Sequence, residues 1–159
     1  MSERVNRLKK DLLQTRDYTN AVLDQVDDRW DTLVYSDGLK WSVRQLLHHL
    51  ADADRGHNNQ VMGIAQGRNI IPEDFDVERY NASITRKTAE KTVEESRASL
   101  EKSRQELLDW LNTLDETTLD KKGRHASLRI MSIENIVLFM AKHEQDHVND
   151  IANTLEINV

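Results

Sequence analysis

Cysteine is absent from the 159 residues. That excludes a disulfide framework, a thiolate nucleophile and thiolate-ligated zinc, so any metal here must use His, Asp or Glu. Proline occurs once and glycine five times, too few for a sandwich or barrel, whose strands need turn residues about every 8 to 12 positions. Basic residues are outnumbered, 22 against 28 acidic, for a formal charge of -6. No net positive field draws the chain to phosphate backbones or anionic lipid, and no nucleic-acid partner is expected. No stretch approaches the roughly 18 apolar residues of a membrane span, and the opening Met1 to Leu8 lacks the apolar core of a signal peptide. A cytoplasmic protein with no membrane partner is the expectation. What is present, 38% hydrophobic and 31% charged residues, suits long amphipathic helices in a single domain over residues 1–159.

Val5, Leu8, Leu12, Thr15, Thr19, Val22 and Val26 recur at steps of three and four, which predicts a first helix over about 3–28 with polar middle rungs. Ser42 and Gln45 have the spacing of a capping box and open a second helix. Its buried face carries Val43, Leu46, Leu47, Leu50, Val61 and Ile64, and Gly67 is placed to end it. Gly56 and Gly63 inside it each cost roughly 1 kcal/mol relative to Ala. Residues 68 to about 91, with Pro72, the acidic run Glu73 to Asp76 and a short helix within it at Val77 to Asn81, form a long crossover. Most helix–helix links take about 2 to 8 residues, so the third helix is not expected to dock as a simple hairpin partner of the second. That third helix starts at the Thr92 and Glu95 capping pair and buries Val93, Leu100, Leu107, Leu111 and Leu114. The fourth runs from Ser132 to about Leu155 with Ile133, Ile136, Val137, Met140, Val148, Ile151 and Leu155 on one face. Four such helices predict an all-α four-helix bundle.

At about 100° per residue His143 and His147 fall within the buried stripe of the fourth helix, one turn apart, which lets both imidazoles reach one divalent cation. Burying both without a metal would require a partner for every ring nitrogen. A third ligand must come from elsewhere, and the second helix offers His57 near the centre of its buried face and His49 on the flank. His48 points away by angle, and His125, in a loop after Lys121-Lys122-Gly123-Arg124, is expected in solvent. The segment His143-Glu144-Gln145-Asp146-His147 also matches the H-E-x-x-H pattern of zinc proteases. No further histidine follows it and no strand offers a substrate-binding edge, so that reading is set aside.

Trp41-Ser42-Val43-Arg44-Gln45-Leu46-Leu47-His48-His49-Leu50-Ala51-Asp52, then Asp74-Phe75-Asp76-Val77 to Tyr80-Asn81, and finally His143 to His147 together resemble the DinB/YfiT-like superfamily. The resemblance implies a four-helix bundle with the second and fourth helices adjacent and a long crossover between helices two and three. By position in the motif it implies His49, His143 and His147 as ligands of a divalent ion, nickel or zinc. It also implies a homodimer, and activities like those of bacillithiol S-transferases or mycothiol-dependent maleylpyruvate isomerases. The expected partner is therefore a small molecule or a low-molecular-weight thiol.

Arg16, between Leu12 and Thr19, and Arg104, between Leu100 and Leu107, fall on otherwise buried lines and are candidates to anchor the carboxylate of such a cofactor. The alternative is that both lay their stems on apolar surface and reach water. Glu144 also points inward and is a candidate hydrogen-bond partner of a ligand, fourth ligand or general base. A metal-dependent thiol transferase, a metal-stabilised stress-responsive binding module without turnover, and a metal-dependent hydrolase are the functions to be distinguished.

Overall fold

Every helix begins at a side-chain cap. In the computed structural model, which describes residues 2–159 and so leaves Met1 outside, the chain forms α1 (Glu3–Leu23), α2 (Val43–Ala65), α3 (Val77–Lys87), α4 (Val93–Asn112) and α5 (Ile133–Leu155). Ser2, Ser42, Asp76, Thr92 and Ser132 each accept a hydrogen bond from the backbone N–H three residues on. Both expected capping boxes are complete, with Gln45 and Glu95 accepting in return from the Ser42 and Thr92 N–H groups. Gly67, at φ 75°, follows the C-cap of α2. A 3-10 turn (Glu116–Asp120) and a short antiparallel hairpin, β1 (Lys122–Arg124) with β2 (Ile130–Ser132), precede α5.

Cross-helix contacts define the bundle. Lys9 reaches Asn112, Arg104 reaches the Leu12 carbonyl and Arg97 reaches Asp24, so α1 and α4 run antiparallel. His49 meets His143 and His57 meets Phe139, making α2 and α5 antiparallel neighbours as well. Arg4 with Glu134 and Arg16 with Glu144 set α1 parallel to α5, while His48 with Ser96 and Asn58 with Ser103 set α2 parallel to α4. The long link between α2 and α4 follows directly: two parallel neighbours require the chain to return along the bundle, and α3 does so packed on α2. The third long helix is thus a neighbour of the second, though not its hairpin partner.

The core is two apolar clusters. One gathers Val22, Leu46, Leu47, Leu100, Val148 and Ile151, the other Leu8, Leu12, Val61, Leu107, Ile136 and Met140. Between them lies a buried polar layer of Arg16, Thr19, Asp54, Arg104 and Glu144, which accounts for the polar middle rungs of α1. The first helix stops at Leu23 rather than near residue 28. Val26 is nevertheless fully buried, because a turn with Asp27 at φ 58° carries it back onto the core. The hairpin, which three-residue strands made illegible in the sequence, docks on α2 at Gly123, where a Cβ would collide with the Ile64 side chain. No helix of the described residues is long and apolar enough to cross a membrane.

Candidate metal centre

The antiparallel packing of α2 on α5 brings three imidazoles to one point. His143 Nε2 lies 3.3 Å from His49 Nε2 and 3.2 Å from His147 Nε2. The three ligand atoms all lie within 4.8 Å of one another. Ring nitrogens sharing one tetrahedral ion at metal–nitrogen distances of 2.0 to 2.1 Å would stand about 3.3 Å apart. Two of the three pairs already stand at that spacing and the third lies within 4.8 Å, so the donor set fits a divalent ion. Burial, aided by mutual repulsion, depresses the basicity of His49 to about 3 and of His143 to about 2. Burial also lowers His147, against the pull of Asp150 and Asp146. All three rings are neutral near pH 7, the form in which imidazole binds metal.

Two side chains to which the sequence assigned no role, Tyr35 and Trp41, hold this arrangement. The Tyr35 hydroxyl donates to Asp150 Oδ2 at 2.5 Å, leaving its oxygen to accept from His147 Nδ1 at 2.8 Å. His147 is thereby held with its proton on Nδ1 and its Nε2 lone pair toward the other two rings. Burial and the hydrogen bond to Asp150 raise the Tyr35 phenol above its ordinary value, so it stays protonated. The indole of Trp41 stacks on His49 with centroids 4.4 Å apart, and its Nε1 donates to Thr85 on α3. Tyr35 and Trp41 both come from the link between α1 and α2, a segment without periodicity, and only its folding back onto α5 makes them part of the site.

The expectations for His125, His48, Arg16 and Arg104 are corrected. His125 is buried, not in solvent: the hairpin turns it inward, where it stacks on His57. His48 is also buried, against α4, with Nδ1 2.6 Å from Ser96 Oγ, because the face opposite the α5 contact is covered by the parallel neighbour. His57 does face inward, but its Nε2 is 2.8 Å from His125 Nε2, and it stands outside the convergent trio. Arg16 and Arg104 neither reach water nor wall the cavity beside the histidines. They anchor carboxylates of the chain itself.

Glu144 accepts from Arg16 Nε at 2.9 Å, Arg16 Nη2 at 3.1 Å, Thr19 Oγ1 at 2.7 Å and Arg104 Nη2 at 2.8 Å. Asp54 accepts from Arg104 Nη2 at 3.0 Å. Burial alone would raise the Glu144 carboxyl, but the hydrogen bonds and the two guanidinium charges hold it down at about 2. With four donors on its two oxygens it has no free lone pair for a metal or a substrate proton, which corrects its candidacy as general base or fourth ligand.

A cavity of about 550 Å³ opens against the histidine face. Its walls come from α2, the crossover and α3, the hairpin turn and α5, with Trp41 at one side. A volume in the range of small-molecule sites beside three convergent neutral donors is the arrangement of a binding or catalytic centre rather than of a sealed structural one.

A four-helix bundle whose second and last long helices present three imidazoles to one point, with an open cavity beside them, defines the class of protein. The chain belongs to the DinB superfamily, whose family model matches residues 11–151. It is 26% identical over 151 residues, 92% of this chain and 84% of the relative, to a protein of Oceanobacillus iheyensis whose name proposes a metal-dependent hydrolase. YfiT from Bacillus subtilis, described as a probable metal-dependent hydrolase with an unusual four-helix bundle topology, superposes with TM-score 0.77 at 21% identity, covering 98% of this chain and 89% of YfiT. A protein of Clostridium difficile 630 superposes with TM-score 0.73 at 13% identity, covering 100% and 99% of the two chains. These likenesses establish the bundle fold; the pairing of parallel neighbours described above is the topology it takes in this chain.

Proposed function

We propose that the chain is a metal-dependent enzyme in which His49, His143 and His147 hold one divalent ion and a small substrate reacts in the adjoining cavity, with hydrolysis as the reaction. The observation that carries this reading is the convergence of three neutral Nε2 donors at 3.2 and 3.3 Å on a cavity floor. When bound, a divalent ion supplies Lewis acidity, lowering the pKa of water and polarising an electrophilic oxygen. The chain's own residues do the rest. Tyr35 fixes the His147 tautomer, Trp41 braces the His49 ring, and the apolar walls exclude bulk water. The names of the relatives, two of which refer to metal-dependent hydrolysis, support the same reading. S-transfer from a low-molecular-weight thiol would need the same ion. The acidic groups of such a thiol, however, would meet no lysine or arginine among the described residues of the cavity wall, since Arg16 and Arg104 are spent on Glu144 and Asp54. Water is the better-supported nucleophile.

The test is elemental analysis of protein carrying no polyhistidine tag, with the variants His49→Ala, His143→Ala, His147→Ala and His48→Ala. The first three should lose stoichiometric nickel or zinc and the last should keep it. Metal retained in any of the three would remove that residue from the ligand set. Metal-loaded protein is then assayed on neutral esters and amides and, separately, for thiol-dependent consumption of an electrophile. Thiol consumption without ester or amide cleavage would replace hydrolysis by S-transfer.

A further inference from the structure

Charge is almost missing from the cavity. Among the described residues that wall it there is no lysine or arginine, and the one carboxylate, Asp52, already accepts from the Tyr80 hydroxyl at 3.1 Å and Arg55 Nη2 at 3.2 Å. The two histidines outside the trio add no charge. His57 Nδ1 donates to the Ala53 carbonyl, which leaves its Nε2 as acceptor, and His125 Nδ1 accepts from the Ser127 N–H, which leaves its Nε2 as donor. Their 2.8 Å contact is therefore one N–H···N bond between two neutral rings. The rest of the wall is uncharged and its apolar part largely aromatic, with Trp41, Phe75, Tyr80 and Phe139 around Ile71 and Pro72. Asn59, Gln60, Asn81 and Ser127 are its neutral polar side chains. Gly56 lies on the α2 side of the same wall, and a Cβ built there meets nothing within 4 Å. The helix gives up roughly 1 kcal/mol of propensity at that point with no close packing to require it, and the space so left belongs to the cavity.

We propose that the ligand of this cavity is an uncharged small molecule with an aromatic or branched apolar body, its single polar head turned to the histidine face. The body is specified by the walls alone. Only the orientation of the head rests on the metal reading. An anionic body is selected against, because a carboxylate or sulfonate buried against the aromatic part of the wall would have no cationic side chain to meet it.

Two fluorescent probes with one skeleton test the charge rule: N-phenyl-1-naphthylamine, which is neutral, and 8-anilinonaphthalene-1-sulfonate, which carries one negative charge. Both are titrated into the full chain as purified, with its metal content measured in the same samples. The neutral probe should bind at least about tenfold tighter than the sulfonate, as expected when one buried ion goes unpaired. Gly56→Leu, which fills the cavity from its α2 side and replaces no histidine, should abolish that advantage. Val77→Lys, on the half-exposed rim and so tolerant of substitution, should shift the preference toward the sulfonate. Equal or tighter sulfonate binding by the unmodified chain, or neutral-probe affinity unchanged in Gly56→Leu, would overturn the proposal. A preparation that binds the neutral probe as expected but cannot be loaded with metal would instead overturn the metal reading and leave the apolar cavity standing.

Discussion

The Tyr35 hydroxyl is placed between a carboxylate and a ligand-type histidine, and such outer partners commonly govern metal affinity by 10- to 100-fold. Tyr35→Phe removes the acceptor for the His147 Nδ1 proton, so affinity for zinc should fall by about tenfold or more in competition with a chelator, at unchanged stoichiometry. An unchanged affinity would show that the tautomer of His147 is held by other means. Glu144 makes the opposite prediction. In the sequence it looks like the glutamate of H-E-x-x-H, yet its oxygens are taken by Arg16, Arg104 and Thr19. Glu144→Gln should therefore destabilise the fold by about 3 to 5 kcal/mol, the cost of breaking a buried ion pair from one side, while metal stoichiometry is retained. Denaturant titration and elemental analysis of the same variant separate the two effects. A stable but inactive Glu144→Gln enzyme would restore Glu144 to catalysis. At this scale the two late histidines could be read from spacing alone, since i and i+4 on an apolar stripe need no tertiary information. The trapping of Arg16 and Arg104 could not, because their partners lie far along the chain on α2 and α5.

Secondary structure follows from short-range signals where those signals exist. Capping boxes at Ser42 and Thr92 and the hydroxyl cap at Ser132 start helices at the residues the sequence announces. The hairpin has no such signal. Strands of three residues carry too little alternation to be distinguished from loop, and Gly123 is needed for its close approach to α2 rather than for a turn. Gly123→Ala would drive a methyl into the Ile64 side chain and against Asn69 Oδ1 at 3.0 Å. It should lower stability by about 1 to 3 kcal/mol through overpacking. Because the same hairpin carries His125, the ring resonances of His57 should shift with it, which NMR would report. Loss of stability without any change at His57 would mean that α2 absorbs the strain locally.

For the molecule as a whole, neutral buried histidines set the response to acid. The unfolded chain takes up protons on His49, His57, His125 and His143 near the ordinary value of 6.5, whereas the folded chain does so only at about 3, 4, 4 and 2 respectively. Between those limits the unfolded state binds more protons. The contribution to stability is therefore full above pH 6.5 and drains as the pH falls toward the folded values. Denaturant unfolding of metal-stripped protein should lose on the order of 5 kcal/mol between pH 7 and pH 5. Stability that stays level over that range would contradict the burial of the neutral rings. Glu144 acts lower, its stabilisation being full above about 4.5 and draining as the pH falls toward about 2.

The sequence by itself determined the helices and the metal chemistry open to them. Amphipathic period and caps act over a few residues, the lack of cysteine leaves imidazole and carboxylate as donors, and a histidine pair one turn apart holds its geometry within a single helix. Tertiary structure alone decided which neighbour each helix has and what that contact uses up. Setting α2 antiparallel to α5 selected His49 over His57 for the convergent trio, and setting it parallel to α4 buried His48. The return of α3 along α2 made the apolar wall of the cavity. The arginines that by sequence were free to hold a ligand were committed to Glu144 and Asp54, because in a dry core a charge must be met by the nearest opposite charge, and helix packing determines which one that is.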